Sequence, residues 1–247
     1  MGLIETEGIV LRTYNLAEAD KIMVCLTRQA GVVRAVARGA RRLKSRFGAG
    51  LEPFTIIDLS YYEKEGRELA SLRQVEIIRS FFGLAGSSES VAALAYMSEL
   101  VMEFAPPQEP NEKLFRMVRA VVEALANAPE DLQALVRYFE VWTLKLGGFL
   151  PDLRACADCA KALSDEPRVY LNAELRAHCG PCSNRLGKDF SGAASKLLRL
   201  AQRLSPQDFA VSARDTAAAV MGELAEFSQG LIGRILERQP RSRAALG

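Results

Sequence analysis

The chain has 247 residues, 49% of them apolar, with 32 Lys and Arg against 30 Asp and Glu and a single His. That composition excludes a chain disordered throughout, and the length suits one to three domains whose core needs no covalent staples. No apolar run approaches the roughly 18 residues of a membrane span, since the richest stretch, 91–104, contains Ser98, Glu99 and Glu103, so no membrane partner is expected.

The first residues lack the positive start and apolar block of a secretory signal, which points to the cytoplasm. Gly2 followed by Thr6 fits a myristoylation pattern, a match short enough to arise by chance. The near-zero net charge hides a regional polarity. Residues 1–80 carry 13 basic and 10 acidic groups, residues 81–150 carry 5 and 9, and residues 151–247 carry 14 and 11. Between Asp20 and Glu52 there is no acid at all, while Lys21, Arg28, Arg34, Arg38, Arg41, Arg42, Lys44 and Arg46 fall there. Such a local field calls for an anionic partner.

Up to residue 80, short β-branched and aromatic runs alternate with turn residues. Five strands are expected, over Gly8–Arg12, Ile22–Thr27, Val32–Arg38, Phe54–Tyr62 and Leu69–Ile78. Gly31, Gly48, Gly50 and Gly66 lie where the connections must turn. Five strands in 80 residues suit the oligonucleotide-binding (OB) barrel; an open sheet is the alternative.

After residue 80 the period lengthens. Ser87 or Ser88 can cap a helix that runs to Phe104 and stops at Pro106 and Pro107. Asn111 can cap a second, with Leu114, Val118, Val121 and Leu125 at helical spacing, and a third after Pro129 carries Leu132, Val136, Phe139 and Trp142 before Gly147-Gly148. These three are expected to pack together. Ser191 opens a helix that should end near Ser205-Pro206, and Ser212 with Asp215 makes a capping-box-like start for the last, whose stripe is Val220, Leu224, Phe227, Leu231 and Ile235. A frayed basic tail is expected from Arg238 onward.

The sharpest chemical signal is Cys156-Ala157-Asp158-Cys159, nineteen residues, then Cys179-Gly180-Pro181-Cys182. Two residues between paired cysteines turn both thiolates toward one point, and two such turns supply the tetrahedral sulfur set of structural Zn(2+). Four thiolates leave no open position, so one structural ion that does no Lewis-acid work is expected. The segment is poor in large apolar residues, and an ion would stand in for the core it cannot form. A thioredoxin-like redox role for Cys179 and Cys182 is the competing reading, weakened because no βαβ pattern surrounds the pair. His178 could substitute as a ligand or donate from behind the ligands, but it is expected to be simply exposed; Cys25 reads as a buried small hydrophobe.

The second signal is the basic segment. In a strand, Arg34 and Arg38 share one face while Val33, Ala35 and Ala37 share the other. With Arg41, Arg42, Lys44 and Arg46 in the following loop, six cations are candidates for tracking a phosphate backbone. The alternative is a solvated surface without a partner. Phe47, Phe54, Tyr61 and Tyr62 could stack on bases, though each is expected in the core. The sequence holds no G-x-x-x-x-G-K-[ST] loop, H-E-x-x-H pair, G-x-S-x-G elbow or deaminase H-x-E, and its one histidine adjoins a cysteine, so a non-enzyme is expected.

Glu7-Gly8-Ile9-Val10-Leu11-Arg12 through Glu18-Ala19-Asp20-Lys21-Ile22, then Ala37-Arg38-Gly39-Ala40-Arg41-Arg42 with Lys44-Ser45-Arg46-Phe47 and Leu51-Glu52-Pro53-Phe54, resemble the N-terminal domain of the RecO family of bacterial DNA repair proteins. Leu146-Gly147-Gly148-Phe149-Leu150-Pro151-Asp152-Leu153, leading into Cys156, is similar to that family's junction between helices and zinc finger. The resemblance implies an α+β protein: an N-terminal five-stranded OB-fold β-barrel followed by an all-α helical domain with an inserted four-cysteine zinc finger. The barrel is placed at 1–80, helices at 81–149 and 189–240, the finger at 150–188, and a flexible basic tail at 241–247. It also implies a recombination mediator, nucleoid-associated, that binds single- and double-stranded DNA and anneals complementary strands. With RecR, such a mediator helps load RecA on strands coated by single-strand-binding protein. Not every member keeps the cysteines, so zinc rests on this sequence's own spacing. An RNA-binding or transcription-associated module is the alternative from another class.

Overall fold

The computed structural model describes residues 2–63, 66–106, 109–183 and 188–245. The chain divides into two compact units, Met1–Pro129 with Pro240–Gly247, and Glu130–Gln239.

The first unit is built on the five expected strands, β1 (Gly2–Asn15), β2 (Lys21–Thr27), β3 (Gly31–Ala37), β4 (Ile56–Glu63) and β5 (Ala70–Arg79). They close into a barrel in the order β1-β2-β3-β5-β4, the arrangement of the OB fold. Closure depends on two joins. Along β1, Gly2 lies opposite Glu63 and Ile9 opposite Ile56, while β3 and β5 run parallel through just Ala35 opposite Ala70 and Val36 opposite Ser71. Val10, Met23, Cys25, Val33, Ala35, Ala37, Leu59, Tyr61 and Leu72 fill the core, Cys25 as the small hydrophobe its context predicts. Burying each large apolar side chain contributes about 1.5–3 kcal/mol.

The two faces of the wall are treated differently. On β2 five consecutive residues, Met23 to Thr27, are buried, so its outer face is covered as well. β3 alternates, with Val33, Ala35 and Ala37 buried and Arg34 exposed. Helix α1 (Ser88–Phe104), capped by Ser87, reaches the barrel through the Ser98 hydroxyl, which donates to the Leu11 carbonyl at 3.0 Å. Helix α2 (Glu112–Asn127), capped by Asn111, is joined to it by ion pairs of Arg119 with Glu7 at 2.6 Å and Arg79 with Glu123 at 3.2 Å.

The C-terminal residues are not a frayed tail. Residues 241–245 form a 3-10 turn whose first two amides, Arg241 and Ser242, donate to the buried Glu99 carboxylate at 2.9 and 2.8 Å. An acid of α1 thus caps a turn that sequence proximity could not reveal. The last two residues lie outside the described set.

The second unit contains α3 (Leu132–Leu146), a small sheet β7-β6-β8 formed by Arg168–Leu171 (β6), Ala177–His178 (β7) and Lys188–Ser191 (β8), then α4 (Gly192–Ala201), α5 (Pro206–Ala213) and α6 (Ala218–Ile235). The unit boundary at Pro129 places α3 with α4 to α6 and α1 and α2 with the barrel. Helix α4 ends before Ser205-Pro206, which opens α5 instead of closing its predecessor: the Ser205 hydroxyl accepts from the Asp208 amide, and Pro206 takes the first turn, where its missing N–H costs nothing. Ser212, expected to cap the last helix, instead donates to the Asp208 carbonyl at 2.8 Å within α5, and α6 starts at Ala218 without a side-chain cap. The free carbonyls at the end of α4 are met by α3. Tyr138, Trp142 and Lys145 donate to the carbonyls of Leu204, Ala201 and Gln202 at 3.1, 2.8 and 3.2 Å. Among the described residues no helix is long and apolar enough to cross a membrane.

Candidate nucleic-acid interface and metal centre

The basic segment is an ordered loop. Arg38 follows the last residue of β3, and the chain turns at Gly39, whose φ of 72° lies in the left-handed region. The Gly39 amide donates to Asp20 Oδ1 at 2.8 Å. Further on, the Arg41 amide donates to the Ala19 carbonyl at 3.0 Å and its Nη1 to the Ala17 carbonyl at 3.1 Å. The β1–β2 connection and the basic loop are therefore one structure. Phe47, buried in the barrel core, anchors the far end, with the Arg46 guanidinium 4.9 Å from its ring centroid.

Arg34, Arg38, Arg41, Arg42, Lys44 and Arg46 are all exposed. Among the described residues, none of the six has a carboxylate oxygen within 4.0 Å. Arg28, in the same acid-free stretch, differs: it pairs with Glu112 at 2.8 Å and Glu7 at 3.4 Å and holds the hairpin turn to α2. Its charge is spent within the fold. The sequence pattern did not single out Arg67. It lines, with Arg38, Glu68, Val36, Leu69, Ala70 and Ser71, an open depression of about 400 Å³ at the short parallel join. Neighbouring acids had masked it. Phe47, Phe54 and Tyr61 are buried, as expected, and Tyr62 is half-buried. The exposed aromatic beside the loop is Tyr14, with Arg12 at 5.0 Å over its ring.

The sulfurs of Cys156, Cys159, Cys179 and Cys182 all lie within 4.8 Å of one another, and no pair is joined as a disulfide. A zinc–sulfur distance of about 2.3 Å in a tetrahedron requires sulfurs about 3.8 Å apart. Cys159 and Cys179 stand at 3.7 Å. Each pair is a tight backbone turn: Ala160 N–H donates to the Cys156 carbonyl at 3.0 Å, with Ala160 at a φ of 58°, and Cys182 N–H donates to the Cys179 carbonyl at 3.1 Å. The turns are linked where Ala157 N–H donates to the Ala177 carbonyl at 2.8 Å. This donor set fits a metal ion, and all four cysteines would hold it.

Burial alone would raise the Cys156 thiol, but backbone N–H groups of Cys159, Cys179 and Asp158 on its sulfur bring it down to about 6. The Cys182 thiol is pushed up, first by its hydrogen bonding with Cys179 and Cys159, because the other sulfurs crowd it. Cys179 is also raised, although the Cys182 amide alone would lower it; burial and the hydrogen bonds with Cys159 and Cys156 outweigh that amide. A thioredoxin-like nucleophile needs a lowered first thiol, and Cys179, the first of the pair that prompted the redox reading, is raised instead.

His178 is buried, contrary to the expectation of exposure, at 9% of its free area. Its Nδ1 lies 2.9 Å from Asp158 Oδ2, so a residue beside one cysteine pair grips a residue inside the other.

The sequence matches two family profiles, Recombination protein O N terminal over residues 1–81 and Recombination protein O C terminal over residues 86–244. The DNA repair protein RecO of Anaeromyxobacter dehalogenans (strain 2CP-C) is 34% identical over 241 residues, which cover 96% of this chain and 94% of that protein. That of Koribacter versatilis (strain Ellin345) is 35% identical over 163 residues, 66% of each chain. That of Bifidobacterium animalis subsp. lactis (strain AD011) is 40% identical over 161 residues, 64% of this chain and 66% of that one. With both halves matched in order, the chain belongs to the recombination protein O family.

Proposed function

We propose that the protein is a non-catalytic, DNA-binding mediator of recombinational repair, working at the nucleoid. The family supports a role in DNA repair and recombination. The observation that carries the finer reading is the six exposed cations on β3 and its following loop, with no acid paired to them among the described residues.

In this reading Arg34, Arg38, Arg41, Arg42, Lys44 and Arg46 take up phosphates of single- and double-stranded DNA. When two strands share the surface, the cations lower the repulsion that opposes their pairing, and complementary strands anneal. With RecR the protein then helps load RecA onto strands coated by single-strand-binding protein. No bond is made or broken. One structural Zn(2+) bound by Cys156, Cys159, Cys179 and Cys182 would cross-link a lobe with little apolar core of its own.

The test is binding of labelled single strands across a salt series. Six phosphate contacts predict that log K falls with log salt with a slope near −4, at about 0.7 per contact on single strands. Replacing Arg38, Arg41 and Arg42 by Ala should flatten that slope by about 2 and slow annealing. A folded triple variant with unchanged affinity and slope refutes the assignment, and tighter binding of matched RNA would favour the RNA-binding alternative.

A further inference from the structure

Leu43 is wholly exposed, at 102% of its reference area, in the middle of Arg41-Arg42-Leu43-Lys44-Ser45-Arg46. An apolar side chain held in water at a loop tip gives the fold nothing. Nor is the loop slack, because Arg42 N–H donates to the Gly39 carbonyl and Ser45 N–H to the Arg42 carbonyl, at 3.1 and 3.0 Å. The adjoining chain, tied on through Arg41, carries two more apolar side chains in the open, Tyr14 at 42% and Leu16 at 47% exposure. The two linked stretches of chain therefore carry exposed apolar side chains together with exposed cations, and Arg38 at the head of the loop also lines the depression, with Val36, Leu69 and Arg67.

A partner that satisfies both features must present negative charge and apolar faces within a few ångströms of each other. Single-stranded DNA does so, with a phosphate for every unstacked base; a duplex hides the base faces in its stack. An anionic bilayer also combines charge with apolar matter, but its flat surface leaves a concave depression unfilled, whereas a base can enter one.

We propose that Leu43, with Leu16 and Tyr14, is a base-contacting tip through which the cationic loop distinguishes unstacked single strands from duplex. This rests on the DNA-binding reading above. The cations set strength and salt dependence for either form, and the apolar tips add affinity when bases are free.

The experiment compares wild type with Leu43→Ser on three labelled probes: a single strand, the same strand with its bases removed, and the matching duplex. The substitution should weaken binding of the ordinary strand about 5-fold, the value of roughly half a buried leucine, and leave the abasic strand and the duplex unchanged. The salt slope should stay the same, since no cation is lost. Leu43→Trp should instead tighten single-strand binding, and its emission should be quenched on binding as bases stack on the indole. Equal losses on all three probes, or no loss on any together with an unquenched tryptophan, overturn the proposal. So does a Leu43→Ser defect seen on vesicles of anionic phospholipid but not on DNA. Wild type that binds no strand overturns the underlying reading as well; wild type that binds with normal salt dependence but is blind to Leu43 overturns this proposal alone.

Discussion

Asp20 Oδ1 accepts the Gly39 backbone N–H at 2.8 Å, so the last acid before the acid-free stretch is used to fix the turn that presents the cations. Removing it has two opposed effects: the field around Arg38 to Arg42 grows by one positive charge, and the loop loses a charge-assisted hydrogen bond of about 1.5–3 kcal/mol. Asp20→Asn keeps an acceptor oxygen and should raise DNA affinity through charge alone. Asp20→Ala should speed amide exchange at Gly39 to Arg42 and gain less affinity than Asn. Equal exchange rates in the two variants would show that the bond does not organise the loop.

Metal removal should act locally. Stripping the ion with a chelator, or replacing Cys156 or Cys182 by Ser, should lower hydrogen-exchange protection across residues 150–183 while barrel amides such as those of Val24 and Cys25 keep theirs. Elemental analysis of protein as purified should give one zinc per chain. An identical melting temperature before and after chelation would count against a structural ion.

His178 and Asp158 tie the two cysteine pairs together without being ligands in the four-sulfur set. Groups that orient a site from behind its ligands change metal affinity by about 10–100-fold. His178→Ala and Asp158→Ala should each speed transfer of the ion to a chromogenic chelator by about 10-fold, and the double variant should add little to either. Additive losses would mean that the two residues act separately.

Much of this was legible in advance, and the exceptions have physical causes. The alternation of Val33, Arg34, Ala35 and Ala37 fixes which face of β3 meets water, and the two-residue spacing within each cysteine pair turns its two sulfurs toward one point. Gly2 to Glu7, the first half of β1, alternates too weakly to signal a strand, and its pairing with β4 supplies what its side chains do not. Helix α5 leaves no clear mark in the sequence because Ser-Pro ends one helix as readily as it begins another. The burial of His178 depends on Asp158, and the docking of the C-terminal turn on Glu99, 142 residues before Arg241, and such long-range partners leave no local trace.

Glu140 is fully buried on α3, 3.1 Å from the buried Arg137, and accepts the Ser228 hydroxyl at 2.5 Å and Gln229 Nε2 at 3.3 Å. Deleting one member of such a pair strands a buried charge and costs about 3–5 kcal/mol, whereas replacing both by apolar groups of similar volume is often neutral. Glu140→Leu should therefore be severely destabilised in urea unfolding, and Arg137→Met should recover most of the loss when added to it. A double variant no more stable than Glu140→Leu would place the importance of Glu140 in its bonds to α6.

Acid should loosen the hold of the barrel on α2 by a definite route. The Arg28 guanidinium donates to Glu112 Oε1 at 2.8 Å from Nη2 and 3.3 Å from Nε, and first this hydrogen bond, then the charge of Arg28, holds the Glu112 carboxyl below its ordinary 4.5. A carboxyl with a depressed folded-state pKa adds stability above its unfolded value, and that stability is lost as pH falls through the folded value. Both side chains are solvent-exposed, which keeps the effect small and sensitive to salt. The stability gap between wild type and Arg28→Gln should thus be open at neutral pH, narrow in high salt, and close on acidification below the carboxylate range. A gap that persists at around pH 2, where carboxylates are neutral, would instead assign the contribution of Arg28 to the packing of its aliphatic stem.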